Sequence, residues 1–321
     1  MKPLIRPGKP GHLLPGGEDK SFISSKVHTT MSTSRPTILV QLDTDPQPSV
    51  FDAVVALDAG VDHLLRHGGV TPENVRDLVY GALFTRGLAD LKSTALFIGG
   101  SKVPVTEAVL EAVKKTFFGP FSVSVLADGN GSNTTAAAAV SSAIDAGGGS
   151  LQGARVMVLA ATGPVGQRVA RLLGRLGATV ALGSRDLARA SALANQLHER
   201  TRGQFLPFAV TGPADVAREI QSASIVINAG PPGVQILPAD IWQKQTGLKA
   251  LIDLNAVPPL GIEGVEAADK GKERQGVPVW GALGVGGAKM KIHKKAITRL
   301  FTASNLVLDA EEVLELGRAL G

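Results

Sequence analysis

The stretch VMVLAATGPVGQRVARLLGRLGATVALGSRD, residues 156–186, decides the fold of this chain of 321 residues. An apolar strand leads into a glycine turn, a helix with apolar spacing and a second apolar strand. In a dinucleotide-binding fold such glycines allow a tight turn, a close approach to a pyrophosphate and close helix packing. Gly163 and Gly166 hold the second and third glycine positions, and Ala161 holds the first. We predict a phosphate site at this turn, formed by Thr162, Gly163, Pro164, Val165 and Gly166.

Alanine at the first glycine position is compatible with this turn if its φ angle is negative. The alternative is a glycine-rich turn that only packs. The region after Gln152 favours the nucleotide, because near-continuous apolar strands alternate with helical stretches. Such a pattern predicts a parallel sheet with helices on both faces.

The end of the second strand indicates which nicotinamide cofactor binds. NAD sites usually place an acidic residue there for the ribose 2′-hydroxyl. This chain places Ser184 and Arg185 there, with Arg189 one helical turn later. A guanidinium and a hydroxyl suit a 2′-phosphate, so we predict NADP, with NAD as the alternative. Asp186 argues for the alternative, unless it only caps the following helix.

Two later strand ends complete the predicted cofactor site. Ala229 and Gly230 follow one strand, where their backbone is expected beneath a cofactor ribose. Asn255 follows the next strand, within expected reach of the nicotinamide amide. The alternative for both is ordinary turn chemistry before proline.

Composition limits the possible chemistry. The chain has no cysteine, which excludes thiol nucleophiles, disulfides and thiolate metal sites. Its six histidines show no metal-binding spacing, so no catalytic metal is predicted. The net charge of +5 is spread out and only 4% of residues are aromatic, which argues against a nucleic-acid partner. No apolar run is long enough to span a membrane, and we expect a soluble, cytoplasmic protein.

The predicted fold class is α/β with two domains. Residues 1–30 are rich in Pro and Gly and read as a disordered extension, so that the folded chain begins near Met31. Residues 31–150 form an α/β domain that ends in a helix capped by Ser132 and stopped by glycines 147–149. Residues 151–288 form a Rossmann-type cofactor domain. The helices within 289–321 are expected to return to the first domain, leaving a cleft between the two.

The single tyrosine limits the classes of reaction that the chain could catalyse. Short-chain dehydrogenases protonate through a Tyr-x-x-x-Lys pair, but the only tyrosine, Tyr80, lies upstream of the glycine turn and is followed at the fourth place by Phe84. The bifunctional folate dehydrogenase–cyclohydrolases also use a Tyr and Lys pair, for the acid–base chemistry of their hydrolytic step, so the absence of such a pair argues against that class as well. A hydride transfer without a proton relay fits the residues better.

Several long motifs, in order from Met31 onward, resemble the bacterial NAD(P)-dependent methylene-tetrahydromethanopterin dehydrogenases. They are QLDTDPQPSVFDAVVALDAG, FTRG, STALFIGG, EAVKKTFFGPFSVSVLADGNGSNTTAAA, ATGPVGQR, DLNAVPPLGIEGVEAADKGKE and GALGVGGAKMKIHKKAI. The resemblance implies a pterin-binding domain that faces an NADP domain, and hydride transfer from the methylene carbon to the nicotinamide. It also implies a homo-oligomer, with a trimer suspected.

The resemblance also suggests the substrate residues. Lys289 matches the family's lysine and is expected to orient the pterin; the alternative is a solvated lysine in a basic helix. Residues at strand ends and in loops are expected to contact the pterin or its tail; the alternative is that they have ordinary turn, cap or surface roles. These residues are Asp43, Asp45, Thr85, Arg86, Asp128, Asn130, Ser132 and Asn133. Two other functions stay open, namely the same reaction on methylene-tetrahydrofolate and a non-catalytic NADP-sensing module.

Overall fold

The computed structural model describes residues 35–320, which lie in one compact unit. The predicted disordered extension and the predicted start at Met31 fall outside the described residues. The described strands are β1 Ile38–Asp43, β2 His63–His67, β3 Thr94–Gly99, β4 Ser124–Ala127, β5 Arg155–Leu159, β6 Thr179–Ser184, β7 Gln204–Ala209, β8 Ile225–Asn228, β9 Ala250–Asp253, β10 Lys270–Arg274, β11 Val277–Trp280 and β12 Val307–Leu308.

The α-helices alternate with these strands along most of the chain. They are α1 Val50–Asp58, α2 Val75–Phe84, α3 Val103–Thr116, α4 Ser132–Ala146, α5 Pro164–Arg175, α6 Leu187–Thr201, α7 Pro213–Glu219, α8 Ala239–Trp242, α9 Ala282–Leu300 and α10 Ala310–Arg318. Short 3-10 turns connect some of them.

The strands form two sheets. The first has the order β12-β4-β3-β1-β2 and is parallel throughout. The second has the order β10-β11-β9-β8-β5-β6-β7, and only the β10–β11 pair is antiparallel. The chain leaves β5 toward β6 on one side and later returns to β8 on the other, which makes the β5/β8 boundary the topological switch point where ligands bind in such sheets. The predicted α/β class with a parallel sheet is confirmed.

The alanine-rich helix α4 lies at the centre of the molecule. Its alanines at positions 136–139 are fully buried, in one apolar cluster with residues of both sheets and of α5, α9 and α10. Small side chains let the surrounding helices approach closely, and burial rather than propensity stabilises this helix. The division into two domains with a cleft stays a prediction.

Helix α9 begins earlier than the sequence indicated. The run GALGVGGA reads as a strand end and a flexible segment, yet Ala282–Gly287 form the first turns of the helix. A Cβ on Gly284 would lie 1.9 Å from the carbonyl oxygen of Asp269, so the glycine lets the helix pack directly on backbone. This tertiary contact outweighs the low helix propensity of glycine.

Four further elements differ from the sequence-based expectation. The strands β2, β10 and β12 were not anticipated, because each is a short strand at the edge of its sheet. Thr71 before Pro72 is typical of a helix start, yet helix α2 begins at Val75, because the side chain of Asn74 accepts the Thr71 amide and holds a turn there. No helix in the described part of the chain is long and apolar enough to cross a membrane.

Candidate active site

The glycine turn between β5 and α5 has the geometry of a phosphate-binding turn. The left-handed residue is Ala160, with φ 54°, whereas Ala161 is fully buried and is not left-handed. A Cβ on Gly166 would lie 2.6 Å from the Ala160 carbonyl oxygen, so this position requires glycine. A Cβ on Gly163 would meet nothing closer than 3.4 Å, which leaves space above the turn. The first amides of α5 lack intrahelical acceptors and suit an anion.

The end of β6 lies beside this turn. The hydroxyl oxygens of Thr162 and Ser184 are 3.2 Å apart. Arg185 and Arg189 are exposed just beyond the strand. The Asp186 carboxylate accepts the Arg189 amide at 3.1 Å and caps α6. Asp186 is thus engaged in the helix cap, which favours the 2′-phosphate interpretation of the two arginines.

The ends of β8 and β9 are joined by a buried polar pair. Asn228 donates to the Asp253 carboxylate at 2.7 Å, and the Asn228 side-chain oxygen accepts the Gly230 amide at 3.1 Å. Burial raises the pKa of Asp253, although bonds from Asn228 and from backbone amides oppose that effect. The Asn255 side chain accepts from Val257 and donates to the Pro259 carbonyl oxygen, so its amide is engaged in its own loop. Ala229, Gly230 and Asn255 lie with the glycine turn at the carboxyl edge of the seven-stranded sheet.

At the carboxyl edge of the five-stranded sheet, Asp43 and Asp45 organise the loop after β1. The buried Asp43 carboxylate accepts the amides of Asp45 at 3.0 Å and Ser49 at 2.9 Å. Asp45 accepts the amide and the hydroxyl of Ser101, each at 2.8 Å, and so joins this loop to the one after β3. Both carboxylates are engaged in holding loops.

The residues after β4 lie at the same edge. The Asp128 carboxylate accepts the amides of Asn133 and Thr134 and the Thr134 hydroxyl, so Asp128 caps α4. The expectation that Ser132 caps this helix is wrong, because Ser132 is already helical and its hydroxyl donates to the Gly129 carbonyl oxygen. Asn130 is exposed, with φ 52°, and its amide bonds Gly100 after β3.

Thr85 and Arg86 lie at the other end of this sheet. The Arg86 guanidinium donates to the carbonyl oxygens of Ser93 at 2.8 Å and Pro36 at 2.9 Å, which precede β3 and β1. Thr85 ends α2 at the same level. The structure therefore separates this pair from the other predicted substrate residues, which gather at the carboxyl edge.

Lys289 reaches the carboxyl edge from the middle of α9, and not from the start of a helix as the sequence indicated. Its Nζ atom would lie 2.9 Å from a Cβ placed on Gly131, and it lies 4.5 Å from the centre of the Phe51 ring. A left-handed Gly131 therefore makes room for the ammonium group beside the loop after β4.

Two titratable groups beside Lys289 were missed by sequence reasoning. Burial raises the pKa of Asp52 to about 6, where Ser49 and Lys289 lower it and Asp128 and Asp43 raise it. Burial lowers the pKa of His293 to about 4, against the charge of Asp128. Among the described residues, neither ring nitrogen of His293 has a hydrogen-bond partner.

Asp52 and His293 carry weak sequence signals. An acid in the first turn of a helix is ordinary, because it complements the helix dipole. His293 lies one helical turn beyond Lys289, which is also the usual spacing of packing residues.

Arg168 connects the phosphate turn to this edge and has no sequence signal. From the second turn of α5 it donates to the Asn133 side-chain oxygen, to the Pro164 carbonyl oxygen at 3.0 Å and to the Glu107 carboxylate at 2.8 Å. Asn133 also donates to the Ala127 carbonyl oxygen and so continues the connection into the first sheet. Both Arg168 and Asn133 are buried.

Known proteins resemble this chain over nearly its whole length. A family model described as methylene-tetrahydromethanopterin dehydrogenase, N-terminal, matches residues 50–130. The chain is 46% identical over 283 residues to the bifunctional protein MdtA of Methylorubrum extorquens strain AM1, which covers 88% of this chain and 98% of that relative. It is 34% identical over 283 residues to the NAD(P)-dependent methylenetetrahydromethanopterin dehydrogenase of the same organism, which covers 84% of this chain and 93% of that one.

Solved structures share the fold at low identity. Quinate dehydrogenase from Corynebacterium glutamicum, in complex with NAD, superimposes with a TM-score of 0.52 at 17% identity and covers 88% of this chain and 99% of that chain. At this identity the likeness shows the fold alone.

Proposed function

The chain belongs to the methylene-tetrahydromethanopterin dehydrogenase family, and we propose that it oxidises methylene-tetrahydromethanopterin with NADP+. The product is methenyl-tetrahydromethanopterin, an intermediate of one-carbon metabolism at the oxidation level of formate, whereas the methylene substrate is at the level of formaldehyde. The observation that carries the proposal is the combination of a phosphate-binding turn with Lys289 at a polar strand edge, in a chain 34% identical to a dehydrogenase of that name.

On the cofactor side, the proposal assigns the pyrophosphate to the turn formed by residues 162–166. The required glycine at 166 and the open space at Gly163 support this assignment. Ser184, Arg185 and Arg189 bind the 2′-phosphate, which favours NADP over NAD. Ala229, Gly230 and Asn255 form the floor for the ribose and the nicotinamide, with backbone groups as the contacts where side chains are engaged.

On the substrate side, the proposal places the pterin at the carboxyl edge of the five-stranded sheet. Lys289 and the exposed Asn130 contact it directly. The side chains of five other residues already bond within the chain, which supports a different task for them, namely to hold the loops that surround the pterin. These residues are Asp43, Asp45, Asp128, Ser132 and Asn133. Thr85 and Arg86 lie at the opposite edge of the sheet and enter the proposal only as contacts for a substrate tail or its phosphate that reaches that edge.

The chemistry required of the protein is modest. When bound, NADP+ accepts a hydride at the nicotinamide ring. The substrate carbon stands between two nitrogens that share the resulting positive charge, so no side chain has to give or take a proton. The residues of the chain therefore act by holding, aligning and excluding water, which are positional effects. Lys289 orients the pterin edge, and the loops after β1, β3 and β4 fix its plane.

The wider setting is also part of the proposal. The enzyme acts in the cytoplasm as a homo-oligomer, with a trimer expected from the family resemblance, and needs no metal. Light scattering on a sizing column tests the subunit number.

The test of the proposed function is an absorbance assay of the full chain with methylene-tetrahydromethanopterin or methylene-tetrahydrofolate, each with NADP+ and with NAD+. We expect the highest specificity constant for methylene-tetrahydromethanopterin with NADP+. Turnover only with the folate substrate would replace the substrate assignment. Absence of turnover in all four mixtures, from protein that binds NADP+, would favour the sensing module.

A further inference from the structure

One carboxylate at the carboxyl edge of the five-stranded sheet is bonded differently from the others. The carboxylates of Asp43 and Asp45 accept backbone amides of the loops around them, and the carboxylate of Asp128 accepts amides at the start of α4. The carboxylate of Asp52, in the first turn of α1, receives no backbone amide within residues 35–320, and the amide of Asp52 itself donates to the Ser49 hydroxyl at 3.2 Å. Its charge is therefore the least neutralised of the four.

Asp52 faces the place where the strand ends meet. A Cβ placed on Gly99, the last residue of β3, would lie 3.6 Å from a carboxylate oxygen of Asp52. The charges of Lys289, Asp128 and Asp43 all act on Asp52. The carboxylate thus lies at the same edge as the ammonium group of Lys289.

A second observation indicates that this edge is built for a ligand. His293 is fully buried and stacks on Phe97 with ring centres 5.6 Å apart, yet neither of its nitrogens has a partner in the described chain. Buried polar atoms without protein partners are costly and uncommon, and a bound ligand or water is one explanation for them. The imidazole lies close enough to Asp128 and Lys289 for both charges to act on it.

We propose that the Asp52 carboxylate stabilises the positive charge that the substrate acquires during the reaction. This inference rests on the proposed function. The methylene C–H bond breaks, both of its electrons leave with the hydride, the carbon is oxidised and the nicotinamide is reduced. No proton is released, so the charge of the pterin rises by one unit. A fixed carboxylate attracts the resulting cation more strongly than the uncharged substrate, and such a difference lowers the barrier.

Burial and the neighbouring charges set the pH range in which the Asp52 carboxylate is ionised. Asp43 and Asp128 are of the same sign, Lys289 is of the opposite sign, and His293 is neutral above a pKa of about 4. Because burial raises the pKa of Asp52 to about 6, the carboxylate is ionised above that pH and protonated below it. The rate of oxidation should therefore fall as the pH drops through about 6.

The test compares Asp52→Asn with Asp58→Asn as the matched control. Asp58 lies on the same helix but is exposed and pairs with Lys294 on the surface. Binding is measured without cofactor, from the absorbance of methenyl-tetrahydromethanopterin and the fluorescence change with methylene-tetrahydromethanopterin. We expect Asp52→Asn to weaken binding of the cationic methenyl form on the order of tenfold, with a much smaller effect on the uncharged form. The decline in the rate of oxidation near pH 6 should be absent in Asp52→Asn.

Asp52→Glu keeps the charge and provides the second variant. It should retain the preference for the methenyl cation, and it decides the question if Asp52→Asn does not fold. Equal binding of the cation by the wild type and Asp52→Asn, a pH profile unchanged in that variant, or a folded Asp52→Glu without the preference would each overturn the inference. Failure of the proposed function looks different, because the wild type itself would then not turn over the pterin.

Discussion

The ammonium group of Lys289 lies 4.5 Å from the centre of the Phe51 ring, so that the middle of α9 meets the first turn of α1. The two residues are separated by most of the chain, and glycines bring them together. Gly281 and Gly284 let α9 pack on the backbone of Glu266–Asp269, and Gly131 leaves space for the lysine. The substrate edge of the proposed site thus depends on close backbone packing at several distant glycines.

Replacement of Lys289 tests the substrate side. Lys289→Ala should lower kcat/KM for the pterin on the order of a hundredfold, because a positioned charged group is lost. Its affinity for NADP+ should not change. Lys291→Ala is the control, since this neighbouring lysine is exposed. Equal losses of kcat/KM in both variants, measured by steady-state kinetics, would show that Lys289 is an ordinary solvated lysine.

The cofactor preference is tested at the end of β6. Arg185→Ala should raise KM for NADP+ roughly tenfold or more, because a charged hydrogen bond to the 2′-phosphate is lost. The KM for NAD+ should stay nearly constant. The matched control is Arg202→Ala, at the opposite end of α6. If both cofactors were affected alike by Arg185→Ala, the 2′-phosphate assignment would be wrong.

The two glycines of the turn should respond differently to alanine. Gly166→Ala places a methyl group 2.6 Å from the Ala160 carbonyl oxygen and should destabilise the fold by about 1–3 kcal/mol. Gly163→Ala meets no atom closer than 3.4 Å, so it should leave the unfolding free energy within about 0.5 kcal/mol and weaken NADP+ binding instead. Urea unfolding and cofactor titration of both variants distinguish the packing role from the binding role.

The buried Arg168, which pairs with the exposed Glu107 and bonds the buried Asn133, should matter more for stability than an arginine in a surface pair. Its side chain is 9% exposed, and its loss leaves the buried Asn133 oxygen without a donor. Arg168→Ala should lower the unfolding free energy by about 2–4 kcal/mol. Arg318→Ala removes a surface pair with Glu315 and should lower the unfolding free energy by less than about 0.5 kcal/mol. Similar losses in the two variants would contradict the packing described here.

The raised pKa of Asp52 predicts a pH-dependent stability difference. The folded-state pKa of about 6 lies above the ordinary value of 3.8, so the folded chain binds the proton more tightly than the unfolded chain. The contribution of Asp52 to stability is therefore present at low pH and is lost as the pH rises from about 4 to about 6. Asp52→Asn should gain about 1–3 kcal/mol relative to the wild type between pH 4 and pH 7.

Because His293 also titrates, the effect of Asp52 must be measured as the difference in unfolding free energy between the wild type and Asp52→Asn, and not from the pH dependence of the wild type alone. Its lowered pKa has the opposite effect, because stability is lost as the pH falls from 6.5 toward about 4. This contribution is common to the wild type and Asp52→Asn and cancels in their difference. A difference in unfolding free energy that does not change with pH would show that Asp52 ionises normally.

The local patterns of the sequence predict much of this fold. The glycine turn and the apolar strands follow from the sequence pattern, and the family resemblance is confirmed by the relatives. The helical start of α9 could not be predicted in this way, because Gly284 is compatible with a helix only through its contact with the distant Asp269 backbone. The same limit applies to Arg168, whose partners come from α3 and α4.

The substrate edge shows why candidate residues are harder to predict than strands. The sequence pattern places Asp43 and Asp128 at strand ends and Asp52 in the first turn of a helix, but it does not show which of these carboxylates accepts backbone amides. The structure distinguishes them, because Asp43 and Asp128 are engaged in loops and in a helix cap. Likewise, Arg86 follows a helix whose direction carries it to the opposite edge.

The measurement that tests the central claim most directly follows the hydride itself. Methylene-tetrahydromethanopterin labelled with two deuterium atoms at the methylene carbon is turned over with NADP+ in ordinary water, and the reduced cofactor is analysed by mass spectrometry. Direct transfer predicts one deuterium atom in every molecule of NADPH formed. Unlabelled NADPH would contradict the account, because the hydrogen would then have come from solvent or from another donor.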